Sequence, residues 1–150
     1  LANSRARLRM TTLYALAAQR RALVAGTGNK VEDFGVGFYT KYGDGGVDVS
    51  PIADLVKTEV FALGAALGVG QEILDAPPTD GLWGDDRTDE DQLGATYPEL
   101  EWAMANTDAD PLTWTERQRE VMAVYTRLNR ANQHKMNPIP VCLIPDHLRA

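Results

Sequence analysis

The sequence contains a single cysteine, Cys142, among its 150 residues. An internal disulfide is therefore excluded, and a reducing compartment such as the cytoplasm is the expected location. With only two histidines beside that cysteine, the chain lacks a Cys/His ligand set of the zinc type. No segment approaches the roughly 18 consecutive apolar residues of a membrane-spanning helix. The net charge of −6 leaves no basic excess to meet phosphates, which argues against a general nucleic-acid binder.

What the sequence does contain is a predicted helix followed by a predicted buried strand. Residues 4–20 carry apolar side chains at helical spacing, and residues 22–29, ALVAGTGN, are a short apolar run that ends in a glycine turn. This order predicts an α/β fold with a parallel sheet. One strand cannot make a sheet, and the first residues already have a helical pattern. The remaining strands are therefore expected upstream or in a partner chain, and we expect residues 1–150 to be the carboxyl-terminal portion of a longer domain.

Cap and turn residues predict the boundaries of the later helices. The dipeptide Ser50-Pro51 has the residue types of a helix cap and a first helical position, so a helix is expected from there to Gly68. Residues 134–150 contain three prolines and cannot form a regular helix. Two further helices are expected to open at capping boxes, which are Thr96 with Glu99 and Thr113 with Glu116.

The stretch FYTKYGDGGVDVSP, residues 38–51, is a candidate ligand-binding loop. Its three glycines weaken any helix or strand and let backbone N–H groups approach a ligand closely. Lys41 can bind phosphate as a point charge, and Asp44 and Asp48 can orient a ribose or a pyridine ring. The alternative interpretation is a surface loop with a solvated ion pair.

A second candidate site follows the predicted strand. Thr27 lies in a Gly-Thr turn, and open α/β sheets bind ligands at the carboxyl ends of their strands. Glu32, five residues later, can ligate Mg²⁺ together with phosphate oxygens. The alternative is an ordinary strand-to-helix turn with a surface glutamate.

Other polar residues have weaker signals when each is taken alone. Lys57 on a helix and Thr79 after two prolines are typical of solvated positions. His134 with Lys135 precedes the proline-rich tail, and a lone histidine is not a metal site. An acidic run is typical of a solvated loop, and its members are Asp85, Asp86, Asp89, Glu90 and Asp91.

Six motifs in a fixed order carry more information than any of these residues alone. They are ARLRM (6–10), GTGNKVE (26–32), FYTKYGDGGVDVSPIADLVKTEV (38–60), PPTDGLW (77–83), TDEDQLG (88–94) and HKMNPIPV (134–141). Over residues 2–145 they resemble the NAD synthetases, a family of the adenine-nucleotide alpha-hydrolase (ATP pyrophosphatase) superfamily. The resemblance implies that residues 1–150 are the helix-rich carboxyl-terminal portion of a Rossmann-like parallel-sheet domain.

The resemblance also implies an activity and a set of site residues. In this family deamido-NAD (nicotinate adenine dinucleotide) and ATP bind with Mg²⁺ to a homodimer. The nicotinate carboxylate attacks the α-phosphate of ATP, pyrophosphate leaves, and ammonia then displaces AMP to form NAD. By motif position, the residues for deamido-NAD are Arg7, Lys41, Asp48, His134 and Lys135, those for ATP are Thr27, Lys57 and Thr79, and the Mg²⁺ ligand is Glu32.

The sequence departs from the family pattern in two respects. The segment from Glu32 to Lys41 is one residue longer than in some family versions, so the pose of Phe38 and Tyr39 stays open. The Ser-Gly-Gly-x-Asp-Ser pyrophosphate loop and a glutaminase domain are not among these 150 residues, so the nitrogen donor, ammonia or glutamine, stays open. Two alternatives also stay open: a related ATP pyrophosphatase, and a non-catalytic chain that binds dinucleotide or dimerises.

Overall fold

The structure, a computed structural model, describes residues 1–85 and 87–149. Asp86, a member of the acidic run, lies outside the described residues. No helix among the described residues is long and apolar enough to cross a membrane. The described elements are helices α1 (Ala2–Arg20), α2 (Lys57–Ala66), α3 (Gln71–Leu74), α4 (Asp89–Leu93), α5 (Tyr97–Ala105) and α6 (Glu116–Met136), a π-helix (Val31–Val36), and 3-10 turns at Pro111–Thr113 and Asp146–Leu148.

The first helix confirms the prediction for residues 4–20. Helix α1 ends at Arg20, where Arg21 adopts a left-handed conformation with φ 51°. Its inner face is narrow, since Ala6 is its only residue classed as buried, while Leu8, Leu13 and Leu16 are exposed.

The strand predicted at residues 22–29 is reduced to one parallel bridge. Ala25 pairs with Val49, the Gly26 amide donates to the Val49 carbonyl at 2.7 Å, and the Asp48 amide donates to the Val24 carbonyl at 2.9 Å. No β-strand forms within residues 1–85 and 87–149, because these two short segments pair only with each other there. The pairing direction is the predicted one, and the parallel sheet itself stays a prediction.

The core lies between α5, α6 and the π-helix. Leu100, Val121 and Val31 are almost completely buried in it, and α6 packs against both other elements. Trp102 and Trp114 close one side with an edge-to-face contact at 5.6 Å between ring centroids. Because this core holds the π-helix, it also fixes the position of the chain around Glu32.

The boundary predictions had mixed outcomes. Thr96 accepts a hydrogen bond from the Glu99 amide, as its capping box predicts. The other box is wrong: Thr113 donates to the Asp110 carbonyl in a 3-10 turn, and α6 starts after Thr115 with Gln118 as the reciprocal partner. The helix predicted to start at Ser50 begins further along the chain, because residues 51–55 form turns and α2 starts at Lys57.

The π-helix lies within the segment that is one residue longer than in some family versions. Its first turn is capped by the Asn29 side-chain oxygen, which accepts from the Val31 and Glu32 amides at 3.0 and 3.1 Å. It ends at Gly37 with φ 64°, where a Cβ atom would lie 2.4 Å from the Asn132 Cβ. A π-helix accommodates an extra residue per turn and is common at functional sites.

Candidate functional site

A cleft of ≈ 440 Å³ lies between α1, the Gly-Thr turn, α2, α4 and part of the loop at residues 38–51. Four residues that the motifs assigned to ATP and Mg²⁺ line it together: Thr27, Glu32, Lys57 and Thr79. They come from positions up to 52 residues apart in the chain, since Thr27 and Thr79 are both members. The fold thus groups residues that the sequence presents separately.

Glu32 and Lys57, which both line this cleft, form an ion pair. The Lys57 amine lies 3.0 Å from Glu32 Oε1, and the two side chains are 19% and 14% exposed. Tyr97 donates its phenol proton to the same Oε1 at 2.5 Å, and the Asn29 amide donates to Oε2 at 3.3 Å. Burial, followed by the Glu32 charge, raises the pKa of Tyr97, so the phenol remains a proton donor. The Lys57 amine also lies 4.6 Å from the centre of the Tyr97 ring.

Asp89 joins this group, although the sequence pattern indicated a solvated loop for the acidic run. That interpretation is wrong for Asp89, whose side chain is buried at the start of α4 and lines the cleft. Its Oδ2 lies 3.3 Å from the Tyr97 hydroxyl. Burial first, and then the Glu32 charge, raise the pKa of Asp89. The Thr88–Asp91 capping box that opens α4 was a signal available in the sequence but was not used.

Three of the residues assigned to deamido-NAD, Arg7, Lys41 and His134, meet outside the lining of the cleft. Lys41 donates its amine to the His134 backbone carbonyl, and Arg7 donates to the Lys41 carbonyl at 3.3 Å. The structure therefore brings Arg7, Lys41 and His134 together through backbone contacts, with the His134 side chain exposed.

Lys135 holds the loop at residues 37–39 through hydrogen bonds to its backbone. Its amine donates to the Gly37 and Tyr39 carbonyls at 2.8 and 2.7 Å. Burial lowers its pKa, and the nearby Asp44 charge opposes that effect. The amine is therefore already engaged in holding the loop.

Asp48 has contacts that hold the parallel bridge. Its Oδ2 accepts from the Val24 amide at 2.8 Å, and its Oδ1 accepts from the Tyr14 hydroxyl at 3.0 Å. The carboxylate is nevertheless on an exposed residue. Thr79, on the cleft edge, donates to the Arg87 carbonyl at 3.4 Å and is also exposed.

A smaller cavity of ≈ 210 Å³ adjoins the cleft and shares Thr27 and Glu32 with it. Asp33, from the π-helix, lines this cavity with Asp44 and Lys135. Burial, the Glu32 charge and then the Asp44 charge raise the pKa of Asp33 to about 6. This acidic side chain was not singled out from the sequence, because its burial depends on the π-helix.

The carboxylates of the cleft are the side chains that could hold Mg²⁺. No group of three or more His, Cys, Asp or Glu side chains within the described ranges is arranged to hold a metal ion. Mg²⁺, however, is usually held by one or two carboxylates, with phosphate oxygens and water as the other ligands. Glu32 and Asp89, which line one cleft and both contact Tyr97, fit that more limited requirement.

A glycine turn beside a parallel bridge, threonine hydroxyls, a paired lysine and a buried carboxylate are groups typical of nucleotide sites in α/β proteins. Comparison with known proteins is more specific. A family model described as NAD synthase matches residues 1–139, and the chain belongs to that family.

Curated relatives agree with this family. The chain is 43% identical over 147 residues to the NH(3)-dependent NAD(+) synthetase of Syntrophomonas wolfei, covering 98% of this chain and 55% of the relative. It is 42% identical over 147 residues to the enzyme of the same description from Archaeoglobus fulgidus, covering 98% and 57%. The chain thus spans about half the length of the curated relatives it matches.

Two solved structures have the same fold over nearly the whole chain. One is the NMN synthetase from Francisella tularensis, with a TM-score of 0.80 and 35% identity, covering 97% of this chain and 56% of that protein. The other is the NH3-dependent NAD synthetase from Campylobacter jejuni in complex with the nitrate ion. It has a TM-score of 0.69 and 25% identity, covering 94% and 54%.

Proposed function

We propose that this chain is the carboxyl-terminal portion of an ammonia-dependent NAD synthetase that converts deamido-NAD to NAD with ATP. The observation that carries the proposal is the convergence of Thr27, Glu32, Lys57 and Thr79 on one cleft, beside the loop at residues 38–51. The family match over residues 1–139 supports it over a related ATP pyrophosphatase with another acceptor. A Rossmann-like parallel sheet, a homodimer and a cytoplasmic location remain predictions of the same family resemblance.

In this proposal the cleft holds the ATP phosphates. The nicotinate carboxylate oxygen forms a bond to the α-phosphorus while the bond to pyrophosphate breaks. Lys57 neutralises phosphate charge, and the Thr27 and Thr79 hydroxyls bind phosphate oxygens or the nucleoside. Mg²⁺ bound at Glu32 would supply further neutralisation of the phosphates. The reaction requires mainly orientation and charge stabilisation, which these groups provide.

In this proposal the loop at residues 38–51 and the residues around Lys41 hold the acceptor dinucleotide. Lys41, Arg7 and His134 lie together there, and Lys135 fixes the loop that connects them to Glu32. Asp48 is exposed enough to contact a ligand while it holds the bridge. In the second half-reaction the ammonia nitrogen forms the amide bond, AMP leaves with the bonding electrons, and a proton is lost from nitrogen.

A second candidate substrate is the nicotinate mononucleotide. The observation that favours it is the likeness to the Francisella NMN synthetase, which exceeds the likeness to the Campylobacter NAD synthetase in both TM-score and identity. The activating chemistry is unchanged, because both acceptors present the same nicotinate carboxylate.

The experiment compares the two acceptors in a completed enzyme. We define the completed enzyme as this chain joined to the part of the Syntrophomonas wolfei relative that the match leaves uncovered. It is assayed with ATP, Mg²⁺ and ammonium, with deamido-NAD or nicotinate mononucleotide, and the intact relative serves as the control. NAD formation with one AMP released per amide supports the proposal. A preference for the mononucleotide supports the second candidate, and amide formation with neither acceptor, while the relative is active, contradicts both.

A further inference from the structure

Asp89 carries a carboxylate oxygen that the interactions described above do not satisfy. The residue is 7% exposed, and it is the only acidic residue classed as buried in the described part of the chain. Within that part, Asp89 Oδ1 has no hydrogen-bond partner. Burial of an unpaired carboxylate oxygen costs free energy, so such an atom in a folded protein calls for a partner beyond these side chains, such as water, an ion or another segment of the protein.

The backbone around Asp89 is fixed, so its side chain has a defined position in the cleft. The Asp89 amide donates to the Pro78 carbonyl at 3.0 Å. The preceding residue, Thr88, caps α4 by accepting from the Asp91 amide at 3.1 Å. The carboxylate therefore lines the same cleft as Glu32 and Lys57.

The neighbouring donors are committed to Glu32. Tyr97 has one phenol proton, and its oxygen is 2.5 Å from Glu32 Oε1 but 3.3 Å from Asp89 Oδ2. The shorter distance assigns the proton to Glu32. The Lys57 amine also pairs with Glu32. Asp89 is thus left with one weak contact at Oδ2 and none at Oδ1 among the described residues.

We propose that Asp89 is a second protein carboxylate, beside Glu32, of a divalent-cation site in this cleft, with phosphate oxygens and water as the remaining ligands. The proposal rests on the proposed function for the source of those phosphates, and the two carboxylates come from this chain. Both carboxylates contact one hydroxyl group, that of Tyr97, so a single cation can lie near both. A dication relieves their mutual repulsion and satisfies the free oxygen of Asp89, and hard cations prefer such oxygen ligands.

The test uses Mn²⁺ as the probe and the completed enzyme defined above. Mn²⁺ affinity is measured by electron paramagnetic resonance, with and without a non-hydrolysable ATP analogue, for wild type and Asp89→Asn. We expect the substitution to weaken Mn²⁺ binding about 10-fold or more, the scale seen when groups that support a metal are removed. Asp108→Asn is the matched control, because Asp108 is an exposed carboxylate outside the cleft, and its Mn²⁺ affinity should equal that of wild type.

Two further readouts separate a ligand from a structural residue. Asp89→Asn removes an unpaired buried charge, so the melting temperature of the metal-free variant should equal or exceed that of wild type. Tyr97→Phe removes the contact to Oδ2 and keeps the carboxylate, so it should retain Mn²⁺ binding. If Asp89 served only to hold Tyr97, Asp89→Asn would lower the melting temperature and leave Mn²⁺ affinity unchanged.

An Asp89→Asn affinity within twofold of wild type overturns the proposal, as does a wild-type completed enzyme that binds no Mn²⁺. Failure of the proposed function is a different result. In that case the completed enzyme forms no amide from either acceptor, while the Mn²⁺ difference between wild type and Asp89→Asn persists.

Discussion

The candidate site has a cleft side, around Glu32 and Lys57, and a loop side, around Lys41 and Lys135, and these hold their charged residues in different ways. On the cleft side, Glu32, Lys57, Tyr97 and Asp89 contact one another through side chains in a largely buried environment. On the loop side, Lys41 and Lys135 reach backbone carbonyls. A side-chain network depends on every member, whereas a backbone contact survives substitution of its neighbours. Substitutions in the cleft should therefore alter stability and activity together, and substitutions in the loop should alter mainly ligand use.

The largest expected effect is the loss of stability when Lys57 is replaced by methionine. The substitution leaves the Glu32 charge buried without its cation, which we expect to lower the free energy of unfolding by about 2–3 kcal/mol. Lys30→Met is the control, since the Lys30–Asp54 pair has a similar length of 2.9 Å but side chains that are 40% and 96% exposed. Its cost should be at most about 0.5 kcal/mol. Urea denaturation of the completed enzyme measures both variants. Equal losses of unfolding free energy for Lys57→Met and Lys30→Met would contradict the distinction between the buried and the exposed ion pair.

A pH-dependent effect is expected at Asp33, which lines the smaller cavity. Its pKa rises from 3.8 to about 6 on folding, so the folded state binds the proton more tightly and the stability contribution of Asp33 falls as pH rises from about 4 to 6. Asp33→Asn should therefore be more stable than wild type by about 1–2 kcal/mol at pH 7, after a discount for partial exposure. At pH 4 the difference should nearly vanish. A gain that is independent of pH would exclude titration of Asp33 as its cause.

Replacement of Glu32 by glutamine is expected to raise the Mg²⁺ requirement of the completed enzyme. The amide loses the negative charge that a hard cation prefers, so we expect the Mg²⁺ concentration for half-maximal rate to rise about 10-fold, equivalent to about 1.4 kcal/mol. Glu59→Gln is a control, because Glu59 is an exposed residue that caps α2 at the Val56 amide. An unchanged Mg²⁺ titration for Glu32→Gln would remove Glu32 from the metal site.

The smallest expected effect concerns Gly45, in the loop at residues 38–51. A Cβ atom at Gly45 would lie 2.3 Å from the Tyr39 ring, and the ring or the loop must move to admit it. We expect Gly45→Ala to cost about 1 kcal/mol of stability and to raise the KM for the acceptor more than the KM for ATP. Gly84→Ala is the matched control, because its added Cβ meets no atom within 4 Å. A larger change in the ATP KM than in the acceptor KM would show that the loop serves the cleft side instead.

Local patterns predicted local structure well, and contacts between distant residues were harder to infer. The period of α1 and the Thr96 cap were readable because their partners lie within a few residues. The start of α2 was not, since the Leu55 carbonyl accepts from the Lys30 amide at 2.8 Å and holds residues 51–55 in turns. Sequence shows the charge of a residue but not its burial.

The candidate site shows the same limit. The motif resemblance identified Glu32 and Lys57, yet their ion pair joins residues 25 positions apart and is visible only in the fold. Asp89 was missed because its burial depends on Tyr97, eight positions later. Asp33 was missed because the π-helix determines what it faces.

One measurement tests the division between the two sides most directly. Steady-state KM values for ATP and for the acceptor nucleotide are determined in parallel for the completed enzyme, Lys57→Met and Lys41→Ala, at a temperature where all three are folded. Our account predicts that Lys57→Met raises mainly the KM for ATP. It predicts that Lys41→Ala raises mainly the KM for the acceptor, by about 10-fold or more, the value of a hydrogen bond to a charged group. Equal changes in both KM values for either variant, or the reverse pairing, would contradict it.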